Sequence, residues 1–203
     1  FDPEGRDLFR EKHGLTDKYV IMYSGNHSPC HPLDSVVDAA MKLEEDTRFV
    51  FFFVGGGSEH KKIARRVEDE GLRNVRCLPY QPVEKLAGSL SAADLHVVVM
   101  GEPFVGMIHP CKIYNILSIS APFLFIGPEA SHVGDLIAKY PDAFLCRRSA
   151  QGEVDTIADH IVAIADEGVR GVSEKYAKAS FHTSKEKLMS RFIELIEKGH
   201  QQG

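Results

Sequence analysis

Short apolar runs alternate with amphipathic stretches along the 203 residues of this chain. Tyr19 to Tyr23 (YVIMY), Phe49 to Val54 (FVFFFV), Val75 to Leu78, Asp94 to Met100 and Phe123 to Ile126 read as strands, and Ala143 to Cys146 as a sixth. FVFFFV has no polar alternation, which implies burial on both faces of a parallel sheet. Helical patterns fill the intervals. The first runs from Pro3 to about His13, with Asp2 as cap and Gly14 ending it. Leu33 to about Glu44 turns Val36, Val37, Ala40 and Leu43 to one side. Ser58 to about Glu70 follows, with Ser58 as the expected N-cap. Val83 to Ser91 comes next, then a helix with His109 as cap and Pro110 at its first position, and then about Ser131 to Lys139. From Val154 the pattern is helical throughout: Ile157 to Asp166, Val172 to about Ala179, and a last helix opened by a Thr183-x-x-Glu186 capping box. That last helix places Leu188, Phe192, Leu195 and Ile196 on one face.

Strands alternating with helices of these lengths predict an α/β fold, a doubly wound parallel sheet with helices on both faces. Right-handed crossovers give the strand order 3-2-1-4-5-6. A ligand in such a sheet lies beyond the carboxyl ends of the strands, where the order reverses, between strands one and four. The loops there are Gly25 to Pro32 and Gly101 to His109. Lys112 follows at the start of the next helix. A cation there faces the positive end of the helix dipole, which makes sense if an anion lies between them. A lysine reaching into solvent is the plainer alternative.

Composition narrows the chemistry. The formal net charge is −5 with no basic block, which argues against a nucleic-acid binder. The apolar runs are far shorter than a bilayer span. The four cysteines, Cys30, Cys77, Cys111 and Cys146, form no C-x-x-C pair. They predict neither a zinc site nor a disulfide framework, and each is expected to pack as a small hydrophobe in a reducing compartment. The ten histidines show no H-x-x-x-H or H-E-x-x-H spacing, so no metal is expected. A chain opening on Phe1 is expected to be an excised domain, with residues 1–203 forming one unit.

Gly55-Gly56-Gly57 turns a strand into a helix, yet G-x-G-x-x-G would require glycine where His60 stands. The acidic residue expected at the end of the next strand is missing too, so nicotinamide or flavin binding is weakly supported. The glycines serve a tight turn or the close approach of backbone to a ligand. Gly25-Asn26 offers N–H groups and an amide to a phosphate or sugar. Asn26, His27 and His31 share one loop but read individually as solvent-facing. Ser28 and His27 lack an acidic partner, so a nucleophilic triad is not supported. Glu102 is the single acid in the two crevice loops, and Glu129 reads as a turn acid.

Three stretches together resemble the C-terminal, nucleotide-sugar-binding half of bacterial group 1 (family 4-like) glycosyltransferases, retaining enzymes of the two-domain GT-B fold. These are YSGN-x4-HPLD-x3-DAA (Tyr23 to Ala40), FVGGGSEHKKIARRVEDEGLRNVRCLPYQPVEKLAGSLSAADL (Phe53 to Leu95) and PCKIYNILSISAP (Pro110 to Pro122). The likeness covers roughly residues 18 to 140. It implies a Rossmann-like doubly wound sheet of about six strands. It also implies that residues 171–203 pack toward a missing N-terminal domain.

By position, the resemblance assigns Lys112 to neutralising phosphate and to catalysis, and Gly25, Asn26 and Gly56 to the diphosphate loops. The base would meet the backbone near Leu78 and Tyr80. Tyr114 or Asn115 would lie near the ribose, and Glu102 and His109 beside the donor sugar. Two departures stand out. Asn115 and Met107 occupy positions where many relatives carry a Glu-x7-Glu pair, and Asn26 and His31 fall where those relatives carry arginine and lysine. The implied function is transfer of a sugar from a UDP- or GDP-linked donor to a glycan or lipid-linked acceptor. No metal or other cofactor takes part. The setting would be polysaccharide assembly in the cytoplasm, at the inner face of the membrane, and the isolated domain would be inactive. A nucleotide-sugar 2-epimerase of similar fold and a non-catalytic nucleotide-binding or scaffold domain are the alternatives.

Overall fold

In the computed structural model, which describes residues 1–139 and 146–167, the elements follow the expected alternation. Helix α1 spans Pro3–Lys12, β1 Tyr19–Asn26, α2 Asp34–Lys42, β2 Phe49–Gly56, α3 Ser58–Glu70, β3 Val75–Leu78 and α4 Val83–Ser91. Then come β4 (Leu95–Val99), a 3₁₀ turn (Glu102–Phe104), α5 (Lys112–Ser118), β5 (Phe123–Ile126), α6 (His132–Lys139), β6 (Cys146–Ser149) and α7 (Val154–Glu167). All strand pairs are parallel, in the order β3-β2-β1-β4-β5-β6 that the sequence predicts.

Each strand sends alternate side chains to opposite faces, and both faces are covered. Ile21, Tyr23, Phe51, Phe53, Val97, Val99, Leu124 and Ile126 pack with Val36, Val37 and Ala40 of α2, Ile63 of α3 and Ile157, Ile161 and Ile164 of α7. On the other face, Val98, Met100, Phe123 and Phe125 meet α5 and α6, while Val20, Met22 and Phe52 meet Phe9 of α1. β1 and β2 are in register over eight positions, Tyr19 to Asn26 against Phe49 to Gly56. Against β4, β1 is in register only at Ile21–Leu95 and Met22–His96. The two strands therefore part company before their carboxyl ends, and that parting forms the crevice.

Several boundaries differ from the sequence expectation. Ser58 is the first helical residue of α3 rather than its cap. Gly57 holds the cap position at φ 126°, and no side chain caps the helix. His109 does not cap α5 and Pro110 does not begin it: the helix starts two residues later at Lys112, with Cys111 before it. A tight turn through Pro110, with Cys111 N–H donating to the His109 carbonyl (2.8 Å), takes up those residues. The sixth strand begins at Cys146, where it was expected to end, and residues 143–145 lie outside the described residues. So do the helices expected from Val172 onward and the terminal Leu188–Ile196 face. Cys111 is exposed rather than packed as a small hydrophobe, while Cys30, Cys77 and Cys146 are half-buried.

Candidate functional site

The crevice is built from four segments. These are the end of β1 with its following loop, the Gly55–Gly57 turn, the loop after β4, and the first residue of α5. Two loops are tied directly, since the Gly101 N–H donates to the Cys30 carbonyl (3.0 Å). His31 ties them again: its Nδ1 lies 2.8 Å from the Val99 carbonyl, a group left without a strand partner where β1 and β4 diverge.

The glycine run brings two loops of this chain into contact. A Cβ at Gly55 would lie 2.0 Å from the Gly25 carbonyl oxygen, and one at Gly57 would lie 2.2 Å from the His27 carbonyl oxygen. Both residues also hold positive φ angles, 139° and 126°, that side-chain-bearing residues seldom adopt. Their smallness lets two loops of this chain touch. Gly56 supports Tyr80, whose ring a Cβ there would meet at 3.1 Å and whose hydroxyl donates to the Gly56 carbonyl (3.4 Å).

His27, which the sequence read as solvent-facing, is completely buried between these loops. Its Nδ1–H donates to the Gly25 carbonyl (2.9 Å), its N–H to the Gly56 carbonyl (2.8 Å), and its carbonyl accepts from Glu59 N–H (3.2 Å). The ring stands edge-on to Tyr23 and His60, with centroids 4.7 and 4.8 Å apart. Burial pushes its pKa down to about 4, so the imidazole is neutral at physiological pH, with a bare and unpartnered Nε2.

Lys112 crosses the mouth of the crevice from the start of α5. Its Nζ sits 3.3 Å from the centroid of the Tyr23 ring, and its terminal methylene passes beside Gly25. The side chain is partly exposed along its stem, but the ammonium itself is covered and has no hydrogen-bond partner among the described residues. Burial lowers its pKa to about 7. An ammonium over an aromatic face gains roughly 0.5–2 kcal/mol, far less than the hydration it gives up. The arrangement places a donor with no partner among the described residues at the mouth of the crevice.

The other expected site residues divide into two groups. Gly25 and Asn26 lie beside Lys112 at the end of β1, with the Asn26 carbonyl accepting from the Tyr23 hydroxyl (3.0 Å). Leu78 and Tyr80 lie across Gly56, and the Leu78 carbonyl accepts from His60 Nε2 (3.1 Å). Tyr114 and His109 form a group of their own with His132: the Tyr114 hydroxyl is held between His109 Nε2 (2.8 Å) and His132 Nε2 (2.9 Å). Asn115 is exposed on α5, and Glu102 is exposed on the 3₁₀ turn, where it forms no ion pair among the described residues. His31, with Nδ1 committed to Val99, presents a bare Nε2 while neutral. Burial and the nearby Lys112 lower its pKa, which favours that neutral form. Tyr23, His60 and His132 had no sequence signal, because nothing in their spacing shows which loops the fold brings together. No group of three histidine, cysteine or acidic side chains that could hold a metal occurs among the described residues.

Residues 5–104 match the family model described as glycosyl transferases group 1. This match covers just under half of the chain and, together with the fold, supports a group 1 glycosyltransferase domain of the GT-B type. Among curated proteins the chain is 27% identical over 188 residues to WcaI of Escherichia coli (strain K12), whose name assigns it to glycosyl transfer in colanic acid biosynthesis. That alignment covers 92% of this chain and 45% of the relative, so the chain spans under half the length of this relative. Among solved structures, Anabaena Alr3699/HepE in complex with UDP and glucose superposes with a TM-score of 0.77 at 16% identity, over 98% of this chain and 53% of that one. The catalytic domain of the Helicobacter pylori cholesterol-alpha-glucosyltransferase superposes with a TM-score of 0.64 at 13% identity, over 82% of this chain and 99% of that one.

Proposed function

We propose that this chain is the donor-binding half of a retaining glycosyltransferase that moves a sugar from a nucleoside diphosphate carrier to a glycan or lipid-linked acceptor. The observation that carries the reading is the covered, unpartnered ammonium of Lys112 at the point where β1 and β4 diverge. Complexes of similar folds with UDP or UDP-glucose favour a UDP-linked donor. The diphosphate would lie along Gly25 and Asn26, in reach of Lys112. The base would lie toward Leu78 and Tyr80, across Gly56. As the bond between the sugar and the diphosphate breaks, negative charge grows on the leaving phosphate. A lysine held in a site that excludes water stabilises that charge more than it stabilises the ground state. The chemistry asks for no divalent ion or other cofactor, because the ammonium fills the role a metal has elsewhere. The acceptor would be received by the other half of the protein, in polysaccharide assembly at the cytoplasmic face of a membrane. A 2-epimerase would want a carboxylate and bases converging on the sugar. Glu102 is the single acid in the two crevice loops and is exposed, which gives that alternative little support.

The test is titration calorimetry of the chain against UDP, GDP, ADP and NAD, without metal and then with magnesium. Saturable, metal-independent binding of UDP is the expected result. Lys112→Ala should weaken it by about 1.5–3 kcal/mol, the worth of a charge-assisted hydrogen bond. A variant that binds as tightly as the parent would remove Lys112 from the site, and binding of NAD alone would overturn the reading.

A further inference from the structure

Lys112 is surrounded by groups that neither share its charge nor hold it. From β1 the Tyr23 ring lies under Nζ. From the loop after β1, His27 and His31 face it with their Nδ1 atoms tied to the Gly25 and Val99 carbonyls. From α3, His60 backs His27, with Nε2 within reach of the Leu78 and Phe53 carbonyls. From the loop after β3, Tyr80 acts on Tyr23. No carboxylate forms an ion pair with Lys112 among the described residues. The cluster thus consists of one amine, three imidazoles and two phenols, with no carboxylate paired to the amine among the described residues. Fixed positive charge in such a place is costly unless an anion is present.

We propose that the site binds its nucleotide-sugar together with a proton: Lys112 is largely neutral in the empty crevice above neutral pH and becomes an ammonium as the diphosphate arrives. The inference rests on the donor-site reading above. The anion supplies what the pocket lacks, a negative partner within hydrogen-bond distance of Nζ, and so draws the proton onto it. The amine's pKa of about 7 in the empty crevice sets where this happens. Below that pH the lysine is already charged and binding needs no proton. Above it, each unit of pH costs about tenfold in apparent affinity until the bound-state pKa is reached. The same linkage orders the ligands, since a nucleoside diphosphate carries one more negative charge than its sugar ester. The released product should hold the proton more firmly than the donor does.

UDP-glucose is the clean probe, because its diphosphate is a diester and does not titrate near neutrality. Any proton taken up must go to the protein. Calorimetry at pH 8 in HEPES and in Tris, whose ionisation enthalpies differ, reads that uptake as a buffer-dependent heat. About 0.9 proton per UDP-glucose is expected at pH 8, and about 0.1 at pH 6 in MES and Bis-Tris. Lys112→Arg, always charged, should abolish the uptake and flatten the affinity between pH 6 and 9, with its circular dichroism unchanged. Binding with the same heat in both pH 8 buffers would overturn the proton linkage and leave the donor site standing. Uptake that persists in Lys112→Arg would place the proton on a histidine and overturn it too. If neither UDP-glucose nor UDP binds, the donor-site reading fails and the inference fails with it.

Discussion

Two buried cations sit at opposite ends of the same pair of strands, and they are treated in opposite ways. At the amino ends of β1 and β4, Arg10 donates to the Ala92 carbonyl (2.9 Å), to Asp94 (3.0 Å), and to the carbonyls of Leu15 and Lys18. Asp94 also binds Arg6 (3.0 Å) and accepts from the Val20 N–H (2.9 Å). At the carboxyl ends, Lys112 has an aromatic face and no hydrogen-bond partner among the described residues. A charge that is fully partnered within the chain holds the fold together. One that is covered and has no partner among the described residues costs stability unless an anion joins it. The difference between the two ends lies in their partners, since both cations are buried.

The largest effect expected from this contrast is at the amino end. Asp94→Ala removes the carboxylate that two guanidinium groups share and the acceptor of the Val20 N–H, and should cost about 3–5 kcal/mol in a urea unfolding experiment. A cost below about 1 kcal/mol would mean the network is ornamental. Nucleotide affinity of the folded variant should be unchanged, because the network lies a strand's length from the crevice.

At the carboxyl end, Gly55→Ala tests the loop contact. Its methyl would sit 2.0 Å from the Gly25 carbonyl oxygen at a φ of 139°, so strain and clash together should cost about 2–4 kcal/mol. Affinity for UDP should fall as well, since Gly25 has to move. Gly71→Ala is the control: its φ is 66° and a Cβ there meets nothing within 4 Å. It should cost only about 1–2 kcal/mol and leave binding alone. Equal costs at the two positions would show that the loops do not touch as described.

The strand order could be read directly from the sequence because unbroken apolar runs such as FVFFFV admit few other environments. The crevice could be read as well, since it follows from that order. Three finer features could not. His27 was placed in solvent because a histidine in a Ser-, Pro- and Asn-rich loop gives no sign of what closes over it. The lid is Gly55–Gly57, nearly thirty positions away, and only the fold brings the two together. Pro110 suggested a helix start, but the tight turn at Cys111 uses its fixed φ before the helix begins. His132 opens α6, and its partner Tyr114 lies on α5, so no spacing rule joins them. Sequence patterns report burial along an element well. They report poorly what happens between loops.

Lys112→Met turns the contrast into a stability measurement with a definite sign. The folded chain holds the lysine's pKa near 7, below its ordinary value of 10.5, so the unfolded chain binds more protons between those two pH values. Stability of the parent should therefore rise as pH increases from about 7 to 10.5, and the penalty of the covered charge is fully present below 7. Methionine carries no such penalty. The variant should be more stable than the parent by about 1–3 kcal/mol at pH 6, with the gap closing toward pH 10. Arg10→Met should be destabilised at every pH in that range. If Lys112→Met proved less stable than the parent at pH 6, the ammonium would have a partner that the geometry does not show.

The smallest effect concerns Tyr114, whose hydroxyl joins His109 to His132 across two loops. A phenol has one proton, so it donates to one imidazole and accepts from the other, which must carry its proton on Nε2. Tyr114→Phe removes both bonds and leaves two partly covered ring nitrogens unmatched, which should cost about 0.5–1.5 kcal/mol in thermal or urea unfolding. Its effect on nucleotide affinity separates two accounts of this residue. If Tyr114 serves the ribose, affinity falls with the hydroxyl. If the hydroxyl belongs to the two histidines, affinity stays within about twofold of the parent while stability drops. The geometry favours the second outcome, because the hydroxyl already donates to one imidazole and accepts from the other. Tyr114 then acts as a brace between α5 and α6, tying Lys112's helix to the one that follows β5.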